Sequence, residues 1–143
     1  TGMHGQHQAE KWVRDLGIKE NVSLLPFLPQ EDLWALYTQS EVYVSLSSHD
    51  GTPNSFLEAI ACGCFPIVGD IPSLQEWIKQ GKNGYMVDPR DIQAAVNAVI
   101  SALHDNTLRD QASKTNHEMV AARADVHQIK KIVQDFYQKV LRN

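Results

Sequence analysis

Two carboxylates, Asp50 and Glu58, stand with seven residues between them in the stretch VSLSSHDGTPNSFLEAIACGCFPIVGD, Val44 to Asp70. Gly51, Thr52, Pro53, Asn54 and Ser55 separate them, a polar segment rich in the residue types that turn a backbone sharply. Pro53 has no amide hydrogen, but Asn54, Ser55 and Phe56 each carry one, at the point where the pattern opens a helix. Amides in a first helical turn lack internal acceptors, and the helix dipole adds partial positive charge there. Such a place suits a phosphate-like anion, in a chain with no GxxxxGK loop. Carboxylates repel phosphate but accept well from paired hydroxyls. The combination is an anion-and-polyol site. Plainer roles stay open for both acids. Ser55 and Glu58 have capping-box spacing, in which Glu58 would bond back to the Ser55 amide, and Asp50 before Gly51 suits an ordinary turn.

Other chemistry-bearing residues are weaker candidates. His49 adjoins the loop but suits its rim, and His4 and His7 have no third ligand beside them. Cys62 and Cys64, separated by Gly63, make a loop too short for an unstrained disulfide and do not complete a zinc site. They read as small fillers between a helix and a strand. No metal ligand set and no cofactor is expected. Trp12, Trp34 and Trp77 sit at apolar helical positions and read as core or interface rather than sugar platforms. Glu76 follows Ser73 with the spacing of a second capping box.

The elements that must position these groups can be read from periodicity. Ala9, Trp12, Val13 and Leu16 predict a helix stopped by Gly17, and Val22–Leu25 predicts a strand followed by Pro26-Phe27-Leu28-Pro29. A short helix over 31–38 buries Leu33, Trp34 and Tyr37, and residues 42–47 form a strand buried on both faces. The helix from Ser55 to about Cys62 leads to a strand at 65–69. A helix starting at 71–73, a short strand at 85–87 and a helix capped by Asp91 follow. From Leu108 to Leu141 the pattern is helical with a break near Ala124-Asp125. Its last segment buries Ile129, Ile132, Val133, Phe136, Tyr137 and Val140. Strands near 22, 42, 65 and 84 alternating with helices predict an α/β fold. It is a Rossmann-like parallel sheet with helices on both faces, lacking its first strands, and the polar loop lies at the strands' carboxyl ends.

Composition narrows the class. The 143 residues, 43% apolar, suit one domain with a real core. A net charge of -4 with scattered Lys and Arg gives no nucleic-acid footprint. No apolar run approaches the roughly 20 residues that span a bilayer, and no signal-peptide pattern opens the sequence. The expected location is cytoplasmic, at most peripheral to the inner face of the membrane.

The stretch DGTPNSFLEAIACGCFPIVGDIPSLQEWIKQGKNGYMVDPRD resembles the donor-binding domain of the retaining family-4 glycosyltransferases of GT-B fold. That family often carries EGxPNxxLEAxAxGxPVV, with a later Glu and a close like NGxLV-P-D. Asp50-Gly51-Thr52-Pro53-Asn54, Glu58-Ala59, Gly63, Pro66, Glu76, Gly84 and Asp88-Pro89 fall on it, and the likeness runs over roughly Gln6 to Leu103. The resemblance implies residues 1–143 as a single, partial nucleotide-sugar-binding domain. Glu58 would bind ribose hydroxyls, and Asp50 would lie near the donor hexose and the reacting centre. Backbone amides from Gly51 through Thr52, Asn54 and Ser55, with Pro53 shaping the turn, would line hexose and phosphates. Phe27 and Leu28 would lie beside the nucleobase. It implies hexosyl transfer with retention and without a bound metal, from a nucleotide-diphosphate sugar to an unknown acceptor. Two departures stand out. The first acid is Asp, one methylene shorter than the usual Glu, and the family's basic pair follows a strand this chain lacks. An amino-terminal acceptor domain would complete the enzyme, and this piece alone is expected to be inactive.

The alternative is a non-catalytic nucleotide-sugar-binding or regulatory module of GT-B type, and a third reading is a sugar-nucleotide epimerase. An incomplete sheet edge and an apolar carboxyl-terminal helix predict a homodimer of the chain.

Overall fold

The 3-and-4 spacing around Ala9 and Val13 becomes α1 (Gln6–Asp15), which ends as expected before Gly17. The structure, a computed structural model, describes residues 5–141, which fall into two compact units, one running to Leu33 and one from Trp34 onward. In the first unit α1 carries Trp12 at 59% exposure, so this tryptophan is not a core residue of the described chain. Val22–Leu25, expected as a strand, forms none. Val22 is extended, but the segment has no ladder partner among the described residues. Periodicity can make a segment extended; only a neighbour makes it a strand.

The unit boundary falls within α2 (Gln30–Thr38). Beyond it the second unit orders β1 (Val42–Ser45), α3 (Asn54–Ala61), β2 (Phe65–Gly69), α4 (Pro72–Gln75) and β3 (Tyr85–Val87). Three long helices then follow: α5 (Ile92–His104), α6 (Asn106–Arg123) and α7 (Val126–Leu141). The strands form one parallel sheet in the order β1-β2-β3, with Val44 beside Ile67 and Val68 beside Met86.

Alternation along the strands builds two apolar layers, as in a sheet covered on both faces. Val68, Tyr43 and Met86 meet Phe56 and Ile60 of α3, Leu74 of α4, and Trp77. Phe65, Ile67, Val42 and Tyr85 meet Val99 and Ala102 of α5. Helix α6 serves both layers, giving Leu108 and Ala112 to one and Met119 and Val120 to the other. The central strand β2 is buried throughout, whereas Val44 of β1 is 48% exposed. The expectation of burial on both faces thus fails for β1 because it is an edge strand.

Both expected capping boxes are replaced by proline starts. Pro53 is the N-cap of α3 and Pro72 opens α4, so Ser55 and Ser73 sit inside their helices and neither cap uses a side chain. Proline's fixed φ and missing amide suit those positions. Asp91 does cap α5, its Oδ1 accepting from the Ala94 amide at 2.8 Å. The α6–α7 break falls at Ala124-Asp125 as expected, Asp125 accepting from the amides of His127 and Gln128. Helix α3 closes with Gly63 at φ 102°, the Cys64 amide reaching back to Ala59 and that of Gly63 to Ile60. A left-handed closure of this kind requires glycine's freedom. Cys64 then lies fully buried and Cys62 half-buried, both as free thiols.

Two buried polar residues that periodicity did not mark tie α6 to the turn before β3. The Asn83 amide nitrogen donates to Asn116 Oδ1 at 2.7 Å and to the Trp77 carbonyl at 2.9 Å. Asn116 returns a bond to the Asn83 carbonyl, and Asn83 Oδ1 accepts from the Lys79 amide. Each side-chain nitrogen and oxygen of the pair has a partner, as burial demands. The expected burial of the last helix is not observed: α7 has no buried residue, and Ile132 and Phe136 are 62% and 61% exposed.

Candidate functional site

Helix α3 opens at the carboxyl end of β1, and its first amides set the chemistry available there. The Phe56 amide bonds to the Pro53 carbonyl at 3.1 Å and the Leu57 amide to the same oxygen at 3.2 Å. Phe56 is therefore already engaged and leaves the set of anion donors expected from the sequence. Asn54 and Ser55 occupy the two positions ahead of it, where helix geometry supplies no acceptor. Asn54 is exposed and Ser55 half-buried. Ser55 Oγ lies 3.2 Å from the phenol oxygen of Tyr43, whose ring packs near Tyr37 and Phe56. The serine hydroxyl therefore anchors the helix start to β1 rather than capping it.

One turn along α3, Glu58 is half-buried and lines an open cleft of about 310 Å³. Asn54, Leu57, Ala61 and Cys62 share its α3 wall, with Trp34 from α2 and Val120 and Ala124 from α6. The acid is not sealed beneath neighbours. Burial raises the pKa of Tyr37 above the usual phenol value, with the charges at Tyr43 and Glu58 adding to it. A cleft with apolar walls and one carboxylate suits a flat ring bearing a hydroxylated edge.

The loop before α3 is held from the β2–α4 connection. Ser73 Oγ donates to the Asp50 carbonyl at 3.0 Å, and Thr52 Oγ1 donates to the Ser73 carbonyl at 3.5 Å. Asp50, Gly51 and Thr52 are exposed, and Pro53 is half-buried. Of the residues expected to act together, Asn54 and Glu58 line one cleft, and Thr52 and Pro53 precede Asn54 along the chain. Phe27 and Leu28 belong to the first unit, on the irregular segment ahead of α2, Phe27 90% exposed and Leu28 half-buried. His49 is exposed, and His4 lies outside the described residues. Glu76 is at the end of α4, not its start, and its carboxylate lies 3.7 Å from Arg123. That guanidinium also donates to the Glu76 carbonyl and stacks 4.0 Å over the Trp77 ring, a cation–π contact that binds α6 to α4.

Sequence reasoning missed Ser73, Tyr43 and the α6 wall of the cleft. Tyr43 and Ser73 looked like a strand apolar residue and a helix cap. Only the return of α6 onto α3 reveals Val120 and Ala124.

Residues 2–119 match the family described as Glycosyl transferases group 1. The chain belongs to that family, and its α/β unit is of the GT-B type. It is 31% identical over 104 residues to the O-antigen chain mannosyltransferase B of Escherichia coli, covering 73% of this chain and 24% of that protein. It is 34% identical over 95 residues to the GDP-mannose:cellobiosyl-diphosphopolyprenol alpha-mannosyltransferase of Xanthomonas oryzae, covering 66% and 25%. The chain thus spans about a quarter of the length of these relatives. Among solved structures, sucrose-phosphate synthase from Thermosynechococcus elongatus superposes with a TM-score of 0.86 at 22% identity, over 95% of this chain and 34% of that one. Anabaena Alr3699/HepE, solved in complex with UDP-glucose, superposes with a TM-score of 0.85 at 18% identity, over 93% and 36%.

Proposed function

We propose that this chain is the donor-binding domain of a glycosyltransferase that moves a hexosyl unit from a nucleotide-diphosphate sugar to an acceptor, with retention and without a bound metal. The observation that carries it is the arrangement of α3: the first-turn amides of Asn54 and Ser55, which the helix itself supplies with no acceptor, and Glu58 one turn on, lining an open cleft. The Glu58 carboxylate accepts from the two ribose hydroxyls. The amides of Asn54 and Ser55 meet the diphosphate, with Gly51, Thr52 and Pro53 giving the loop its approach. Asp50 lies toward the hexose. As the bond from the anomeric carbon to the diphosphate breaks, negative charge grows on the leaving group, and the helix start stabilises it. The names of the relatives support a nucleotide-sugar donor, one including GDP-mannose and one structure holding UDP-glucose. Phe27 and Leu28 are assigned to the nucleobase by resemblance alone. The acceptor belongs to a further domain of the intact enzyme. Among the described residues no helix is long and apolar enough to cross a membrane. A place at the inner membrane face fits the diphosphopolyprenol named in one relative.

Glu58→Gln tests the assignment. It should weaken nucleotide-sugar binding by roughly 10- to 100-fold, the scale of losing a charged hydrogen bond. Calorimetry with UDP-, GDP- and ADP-sugars reads this directly, and an unchanged affinity would remove Glu58 from the site. The shorter acid at position 50 favours a second reading, a binding module without transfer. A transfer assay on the full-length gene product separates the two.

A further inference from the structure

The loop carrying Asp50 is braced by neighbouring elements. Its first part passes against Gly69 at the end of β2, where an added Cβ would strike the Ser47 carbonyl and come within 3.0 Å of the Pro89 ring. Its middle is fastened to α4 at one residue: Ser73 donates its hydroxyl to the Asp50 carbonyl at 3.0 Å, and the Thr52 hydroxyl makes a long, weak contact of 3.5 Å with the Ser73 carbonyl. The platform on which Ser73 sits is itself tied down. The Asp70 amide bonds to the Val87 carbonyl at 2.9 Å, and Gln75 Nε2 donates to Asp70 Oδ1 at 2.8 Å. Leu74, next to Ser73, is buried in the core layer with Phe56 and Ile60. A rigid connection thus presents a hydroxyl and a carbonyl to a loop of exposed residues. Neither bond serves the helix, because α4 starts from Pro72 and needs no serine cap.

We propose that Ser73 is a positioning residue for the sugar end of the donor site: it fixes the backbone at Asp50, next to the Thr52 hydroxyl that reaches back to the Ser73 carbonyl, and so the place from which the Asp50 carboxylate projects. This rests on the donor-site reading above. The ribose and diphosphate contacts, at Glu58 and at the start of α3, lie beyond the two fastened residues. Loss of the Ser73 hydroxyl therefore acts on the hexose and spares the nucleotide.

The experiment is calorimetry on the full-length gene product with two ligand pairs, UDP-glucose against UDP and GDP-mannose against GDP. For whichever pair binds, Ser73→Ala should weaken the nucleotide sugar by roughly five- to tenfold, the scale of a lost neutral hydrogen bond. Affinity for the bare nucleoside diphosphate should stay within twofold. Ser73→Thr, which keeps a hydroxyl, should restore the difference, and Thr52→Val should reproduce part of the loss from the other side. A role in folding alone would move both ligands together. If both members of a pair bind the wild-type protein and Ser73→Ala changes neither, or weakens both equally, the positioning role is wrong and the donor site stands. If no ligand binds the wild-type full-length protein, the donor-site reading itself fails, and this inference falls with it.

Discussion

At the scale of single residues, the two cysteines differ although one glycine separates them. Cys64 is fully buried, its thiol directed at the Tyr37 carbonyl at 3.2 Å. Burial, with Cys62 nearby, pushes its pKa up to about 11. Because the folded state holds the proton more tightly than the unfolded thiol, whose value is 9.0, the contribution to stability is complete below pH 9. It is lost as pH rises toward 11. Tyr37, also raised by burial, acts in the same direction. Urea titrations at stepped pH should show stability falling across that window, and Cys64→Ala should flatten part of the fall. In native protein, iodoacetamide should label Cys62 before Cys64. The burial of Cys64 was legible from its place between helix and strand. The position of Ser73 was not, because Ser-x-x-Glu looks the same whether the serine caps a helix or sits inside one started by proline.

At the scale of elements, legibility followed the number of neighbours each element needs. Helices α1, α2, α5 and α6 are written in 3-and-4 spacing and local caps such as Asp91, so they stand where the sequence put them, although α2 does not bury Leu33, Trp34 and Tyr37 as expected, Trp34 being 41% exposed. Strand character needs a partner, which is why Val22–Leu25 stays unpaired and β1 is shorter than its apolar run. Within the candidate site, the turn, the start of α3 and Glu58 were visible in the residue types. The apolar wall from Val120 and Ala124 was not, because no local pattern says where a helix begun more than 40 residues later returns. Helix α7 is the opposite case. Its amphipathic pattern is plain, yet none of its residues is buried. Ending the chain after Asp125 should therefore leave the sheet and its two layers intact. By circular dichroism the thermal midpoint should move by no more than about 3 °C. A larger drop would mean that α7 contributes to the core.

At the scale of the whole molecule, two surfaces stand out among the described residues: the outer edge of β1 and the apolar face of α7, with Val133, Phe136 and Val140 all at least 45% exposed. Faces of that kind favour association. Light scattering over a concentration series should show the chain passing to a dimer, and the form ending at Asp125 should lose whatever part α7 supplies. A constant monomer mass would count against this. The closed amide pair at Asn83 and Asn116 carries a different consequence, one of chemical ageing. Asn83 precedes Gly84, the dipeptide that in pliant chains cyclises to a succinimide and turns into aspartate. Here the asparagine side chain is spoken for by Trp77, Lys79 and Asn116, so it cannot swing onto the next amide. Aspartate appearing at that position over storage would then be a clock that runs only while this turn stands open.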